Sequence, residues 1–232
     1  MFALKTLAAF AAASALMGAV PALAQGDLPP GMTTDTQKVS DLPGLVGFYK
    51  LAPSEHSQFG VYYAVKIKHA SMAGSSAVIN DGSHQVPVHL GADGRIEPTP
   101  TREQVENGAT ITVVYPAAAS KALKLRVFST QPAGHDYDAQ GLGLGIRQAN
   151  SAMGKIGGIL VMALPRLDRV YFIGAGSGTV DAGGQSQPLP KFQGDNEVPA
   201  GTPYFVPSQS PNATKIHLSG TPSLALFANP PK

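Results

Sequence analysis

The chain contains no cysteine and no tryptophan. Without cysteine there are no disulfides, no thiol nucleophiles, no Cys-ligated zinc and no iron–sulfur clusters, so an exported fold must rest on core packing alone. Without tryptophan, and with aromatics at 7% of residues, stacking platforms for sugars are few. Tyr62, Tyr171 and Tyr204 are the rings that could serve. Charge is sparse too: the formal net charge is +2, and no block of Lys and Arg stands anywhere in the chain. Sequence-independent phosphate binding needs several clustered cations, so no nucleic-acid partner is expected.

Long apolar runs are also missing. The stretch Leu7 to Val20 is shorter than the roughly 20 apolar residues that cross a bilayer, and it ends at Pro21. With Lys5 ahead of it and Ala22-Leu23-Ala24-Gln25 behind, it has the form of a secretory signal peptide cleaved after Ala24. A lipoprotein would need a cysteine at that point. Residues 1–24 are therefore expected to take no part in the fold. A periplasmic or secreted destination follows, and the Ala-rich style points to a bacterial source. Removing Lys5 with the leader lowers the formal charge from +2 to +1.

What is present organises around Asp138 to Pro165. Leu142, Ile146, Ala149, Met153, Ile156, Leu160 and Ala163 recur in alternating steps of four and three, which lays them on one face of a helix. Asp138 can cap its start, and Pro165 cannot continue it. Gly141, Gly143, Gly145, Gly154, Gly157 and Gly158 each cost about 0.8–1 kcal/mol relative to alanine, so such a helix stands only when packed. Its glycines would let another backbone come close. Arg147 and Lys155 argue against its crossing a membrane, and no transmembrane segment is expected in the mature chain. A homodimer seam along the small residues is an alternative use of the helix.

Elsewhere the text reads as short strands and turns. Residues 25–40 show no period and read as a flexible lead-in. Asp41 to Ala52 is an apolar segment, a short helix or an irregular plug. Val61, Tyr63, Val65 and Ile67 alternate with Tyr62, Ala64, Lys66 and Lys68, the pattern of a strand with one face buried and one wet. Val86, Val88 and Leu90 form another strand face, with Pro87 marking an edge. Turns are expected at Asn80-Asp81-Gly82-Ser83 and at Asp93-Gly94. Thr101 and Gln104 stand in capping-box relation. Strands are expected over Thr110 to Tyr115, Ala122 to Val127 and Arg169 to Ile173.

The second half can be laid over the first at an offset slightly above 100 residues. Ala73-Gly74-Ser75 falls on Ala175-Gly176-Ser177, Val78 on Val180, Pro87-Val88 on Pro188-Leu189, and Leu123-x-Leu125 on Leu224-x-Leu226. The expected fold is thus mainly β with an α+β character: tandem sandwich-like modules over 41–135 and 139–232, with one prominent central helix.

Candidate chemistry is thin. Gly174-Ala175-Gly176-Ser177-Gly178 follows a strand, but strand and turn residues come after it instead of the helix that a dinucleotide site requires. His84 and His89, near Asp81 and Asp93, point to opposite faces if they share a strand. In His135-Asp136-x-Asp138 the second aspartate reads as a helix cap. Asp93 with Glu97 and Asp195 with Glu197 sit where turns are expected, and no Gly-x-Ser-x-Gly elbow exists. Asn212-Ala213-Thr214 is a sequon to which no role is given. No catalytic, cofactor-binding or metal-ligating residue is assigned, and no cofactor. The expectation is an exported cell-envelope protein that acts as a non-enzymatic binding or structural module, through sheet edges or the seam between modules, toward an envelope protein or glycan. The alternative is a small-molecule or glycan-active hydrolytic enzyme whose site assembles only in three dimensions.

Overall fold

The computed structural model describes residues 28–82, 84–91, 93–156 and 166–231. The expected leader and the last part of the expected helix, with Leu160 and Ala163, lie outside the described residues. The first half contains β1 (Met32–Lys38), α1 (Leu45–Tyr49), β2 (Phe59–Lys68), β3 (Ser76–Asn80), β4 (Gln85–Leu90), β5 (Ile96–Glu97), α2 (Arg102–Glu106), β6 (Thr110–Pro116) and β7 (Ser120–Ser129). The second contains β8 (Asp136–Asp138), α3 (Ala139–Ile156), β9 (Arg169–Ile173), β10 (Gly178–Ala182), β11 (Gln185–Pro188), β12 (Tyr204–Phe205), β13 (Ala213–Leu218) and β14 (Leu224–Ala228). The molecule is mainly β, with α3 its one long helix among the described residues.

Among the described residues the strands form three antiparallel sheets. One outer sheet runs β1-β6-β3-β4-β5, the other β11-β10-β13-β8, and a shared sheet runs β12-β9-β14-β7-β2. Read from its β8 edge, the second outer sheet repeats the order of the first. In the shared sheet β2-β7 from one half meets β14-β9 from the other. The cross-links repeat as well: Val65 donates to the Gly94 carbonyl (2.8 Å), as Phe172 does to the Pro203 carbonyl (3.0 Å). Two of the textual matches are nevertheless one residue out. Leu123 and Leu125 pack inward in the first half whereas Leu224 and Leu226 face the opposite side of the shared sheet, and Val180 is buried whereas Val78 lies beside the buried positions Ala77 and Ile79. With a side-chain period of two, a slip of one residue changes the face.

The first core lies between the first outer sheet and the β2–β7 pair, around Val39, Leu42, Leu45, Tyr63, Val65, Ile79, Ile111 and Val113. The second joins α3, the second outer sheet and β9–β14, around Leu142, Ile146, Phe172, Ile216 and Phe227; Leu51, Phe59 and Val127 from the first half enter it too. The hydrophobic burial is thus continuous across the halves. Strand edges are blunted by Pro87 and Pro188: opposite Val78 and Thr179 respectively, each places its missing N–H on the outer side of its ladder.

α3 begins where expected, with the Asp138 carboxylate accepting from the N–H groups of Gln140 and Gly141 (3.0 Å each). Leu142 and Ala149 are buried, and Met153 and Ile156 pack against the same core. Burying a side chain such as Leu142 contributes about 1.5–3 kcal/mol, which offsets the cost of two or three helical glycines. The close approach is intramolecular. A Cβ on Gly145 would fall 2.8 Å from both the Gln58 carbonyl oxygen and the Phe227 ring. Gln148 then ties the helix to the first half, donating to the Ser54 carbonyl (2.8 Å) and accepting from the Gln58 N–H (3.0 Å). No helix among the described residues is long and apolar enough to cross a membrane.

One expectation about residues 25–40 fails. Met32–Lys38, read as a lead-in, is a strand paired along its whole length with Thr110–Pro116. Its Thr, Asp and Gln side chains carry no hydrophobic alternation, and backbone pairing to β6 supplies the order that composition hid. The apolar segment after it resolves into α1, with Leu42 and Leu45 in the core. The capping box forms as expected: Gln104 N–H donates to Thr101 Oγ1 (3.2 Å), and Thr101 N–H to Gln104 Oε1 (2.9 Å).

Candidate functional site

The shared sheet buries one face against both cores. Its other face carries the three tyrosines singled out by composition. Strand pairing places two of them, Tyr171 and Tyr204, in one row: Gly60 lies opposite Phe128, Phe128 opposite Leu226, Leu226 opposite Tyr171, and Tyr171 opposite Tyr204. One row of positions therefore crosses all five strands and both halves. Gly60 has a local reason. The Phe128 ring lies across it, and a Cβ there would meet the ring at 2.7 Å. Ring centroids are 5.9 Å apart for Tyr62 and Phe128, and 5.6 Å for Tyr171 and Tyr204.

Two arginines stack on this strip in reciprocal fashion. Arg95, facing β2, lies 4.7 Å above the Tyr62 ring and 5.7 Å from Phe128; Arg169, on β9, lies 5.3 Å from the Tyr204 ring. Each such cation–π contact contributes about 0.5–2 kcal/mol, more when water is excluded. Arg169 is held by a two-point bond to Asp168 (2.7 and 3.0 Å). Arg95 Nε stands 2.9 Å from Glu97, but its N–H points off the carboxylate, so the pair is an electrostatic contact and no aligned hydrogen bond.

The segment between β11 and β12 lies over the strip. It sets Phe192 against Tyr171 (4.9 Å) and buries Val198 beside Tyr62 and Leu226. Asp195 shapes its turn by accepting from the N–H groups of Glu197 and Val198 (2.7 Å each). Glu197 then pairs with Lys124 and Arg126 on β7. Burial opposes its ionisation, but the hydrogen bonds from Arg126 and Lys124 outweigh burial and hold its pKa down to about 2. Burial also pushes the Tyr62 phenol up to about 12. The expectation of a wet face for Tyr62 and Ala64 is thus corrected: both are buried beneath this cover, and only the Lys66 and Lys68 end of β2 stays wet.

The remaining candidates are dispersed by the fold. His84 donates its backbone N–H to Asp81 in the β3–β4 turn (2.7 Å), while His89 stands at the far end of β4 opposite Glu97. Asp93 accepts from the Arg95 N–H (3.0 Å). The glycines at 174 and 176 take positive φ and lead into β10, a strand. Asp138 caps α3, and His135 bonds the Leu218 carbonyl (3.0 Å). Asp136 meets a residue that sequence reasoning passed over. His217 on β13 lies between Asp136 Oδ1 (Nδ1, 2.6 Å) and Asp181 Oδ2 (Nε2, 3.0 Å). The hydrogen bond from His217 holds the Asp136 pKa below the usual carboxylate range; Ser186 and then His217 do so for Asp181. No spacing announces this cluster, because β8, β13 and β10 come together only through the sheet.

No family model, curated protein or solved structure matches the chain.

Proposed function

We propose that the chain is an exported, non-enzymatic binding module of the cell envelope, built by tandem duplication of one strand-rich unit. Its partner is an envelope protein or glycan, recognised along the outer face of the shared sheet beside the segment that covers its middle. The observation that carries this reading is the pair of partly exposed rings, Phe128 and Tyr204, that stand at the margin of the covering segment, with Arg95 stacked near the first and Arg169 near the second. Rigid rings beside planar cations make contact area at low cost in side-chain entropy, the composition of binding hot spots. The prolines at 87 and 188 count against recognition through those strand edges.

A hydrolytic alternative would rest on Asp136–His217–Asp181. There both ring nitrogens face carboxylate oxygens, which leaves neither nitrogen open to take a proton from a nucleophile. Co-sedimentation of the mature chain with isolated sacculi, and separately with envelope protein fractions, tests the binding reading. One of the two fractions should retain the protein. Joint replacement Arg169→Gln with Tyr204→Ala should weaken retention at least fivefold, and His217→Gln should leave it unchanged. Equal retention of wild type and the double variant would overturn the assignment.

A further inference from the structure

The alternation of β12 turns Tyr204 to the strip and Phe205 to the opposite side, where a second feature lies. Between α3 and the segment after β12 is a cleft of about 370 Å³, walled by Ile146, Leu167, Phe205, Pro207 and Pro211 and floored at Gly143. That volume falls within the range of pockets that hold small ligands.

The polar groups around the cleft are unequal. Asp168 is spent on Arg169, and the Gln140 amide donates to the carbonyls of Pro211 (3.2 Å) and Ala213 (2.6 Å). Arg147 is different: it lines the cleft, and among the described residues it meets no carboxylate and no hydrogen-bond acceptor. Its guanidinium lies back along the helix, with Nη1 3.5 Å from where a Cβ on Gly143 would stand. Ser208 and Ser210 also line the cleft. The unspent charge at this cleft is therefore positive, and the wall facing it is apolar.

We infer that the cleft binds a small organic carboxylate, its apolar body lying between Phe205, Pro207 and Ile146 and its anion held by Arg147. Arginine suits this task because its planar fork matches a carboxylate at two points. The inference concerns a different face from the proposed recognition strip and does not depend on it.

Two substitutions separate the apolar and ionic parts. Arg147→Gln removes the cation from an exposed position. At Gly143 a Cβ would stand 3.5 Å from Pro207, an ordinary contact, so Gly143→Ala is tolerated and serves as folding control, while Gly143→Leu fills the cleft. Titration calorimetry with octanoate and phenylacetate, against octylamine and octanol, reads the result. The wild type should bind one carboxylate per chain and bind octylamine at least tenfold more weakly. Arg147→Gln should weaken carboxylate binding at least tenfold, and Gly143→Leu should abolish it with the helical circular dichroism unchanged. Carboxylate binding that Arg147→Gln leaves intact, octylamine binding as tight as octanoate, or no carboxylate binding by the wild type would overturn the inference.

Discussion

The carboxylate of Glu197 closes onto the guanidinium of Arg126 across the junction of the two halves. Lys124 joins from the same strand, so one anion from the second half holds two cations of the first. Residues close in space but 71 and 73 apart in sequence thus clamp the segment over the aromatic strip.

Glu197→Gln leaves Lys124 and Arg126 facing each other without a counter-ion. A loss of about 1–2 kcal/mol is expected from a partly buried charge pair broken on one side. The pH dependence has a definite sign. Because the folded-state pKa lies near 2, below the ordinary 4.5, the contribution is complete above about 4.5 and fades as pH falls toward 2. Urea unfolding of wild type and variant from pH 7 to pH 2.5 should show the gap between them closing. A constant gap would show that Glu197 acts through packing alone.

Gly145 and Gly154 occupy the same helix and should respond in opposite directions. Alanine at 154 meets nothing within 4 Å, so Gly154→Ala should stabilise by about 0.5–1 kcal/mol through helix propensity. Alanine at 145 collides with the Gln58 carbonyl and the Phe227 ring, and Gly145→Ala should cost about 1–3 kcal/mol despite the same gain. Thermal unfolding of the two variants checks the pair. Similar shifts would mean that the sheet does not press on the helix at 145.

Asp138→Ala should cost about 1 kcal/mol by freeing the N–H groups of Gln140 and Gly141. Asp138→Asn, which keeps an acceptor, should recover most of it. Amide hydrogen exchange at the first turn of α3 should speed in the alanine variant before the rest of the helix responds.

The start of α3, its inward face, the inner face of β2, the edge role of Pro87 and the capping box at Thr101 were legible in the sequence, because each depends on residues within a few positions of one another. Local spacing sets them through helix period, strand alternation and side-chain caps. β1 was not legible: its polar side chains carry no period, and only the β6 backbone makes it a strand. The burial of Tyr62 and Ala64 was missed for a related reason, since alternation reports two faces of a strand but not what arrives from a distant segment to cover the second.

The sequence by itself therefore determined a mainly β chain around one glycine-rich helix, held without disulfides. Tertiary structure decided which side chains meet. The row across the shared sheet, the reciprocal Arg95–Tyr62 and Arg169–Tyr204 stacks, the carboxylates on either side of His217 and the open cation at Arg147 all join residues from separate elements. Strand pairing is a long-range choice of partner and register, and no local pattern encodes it.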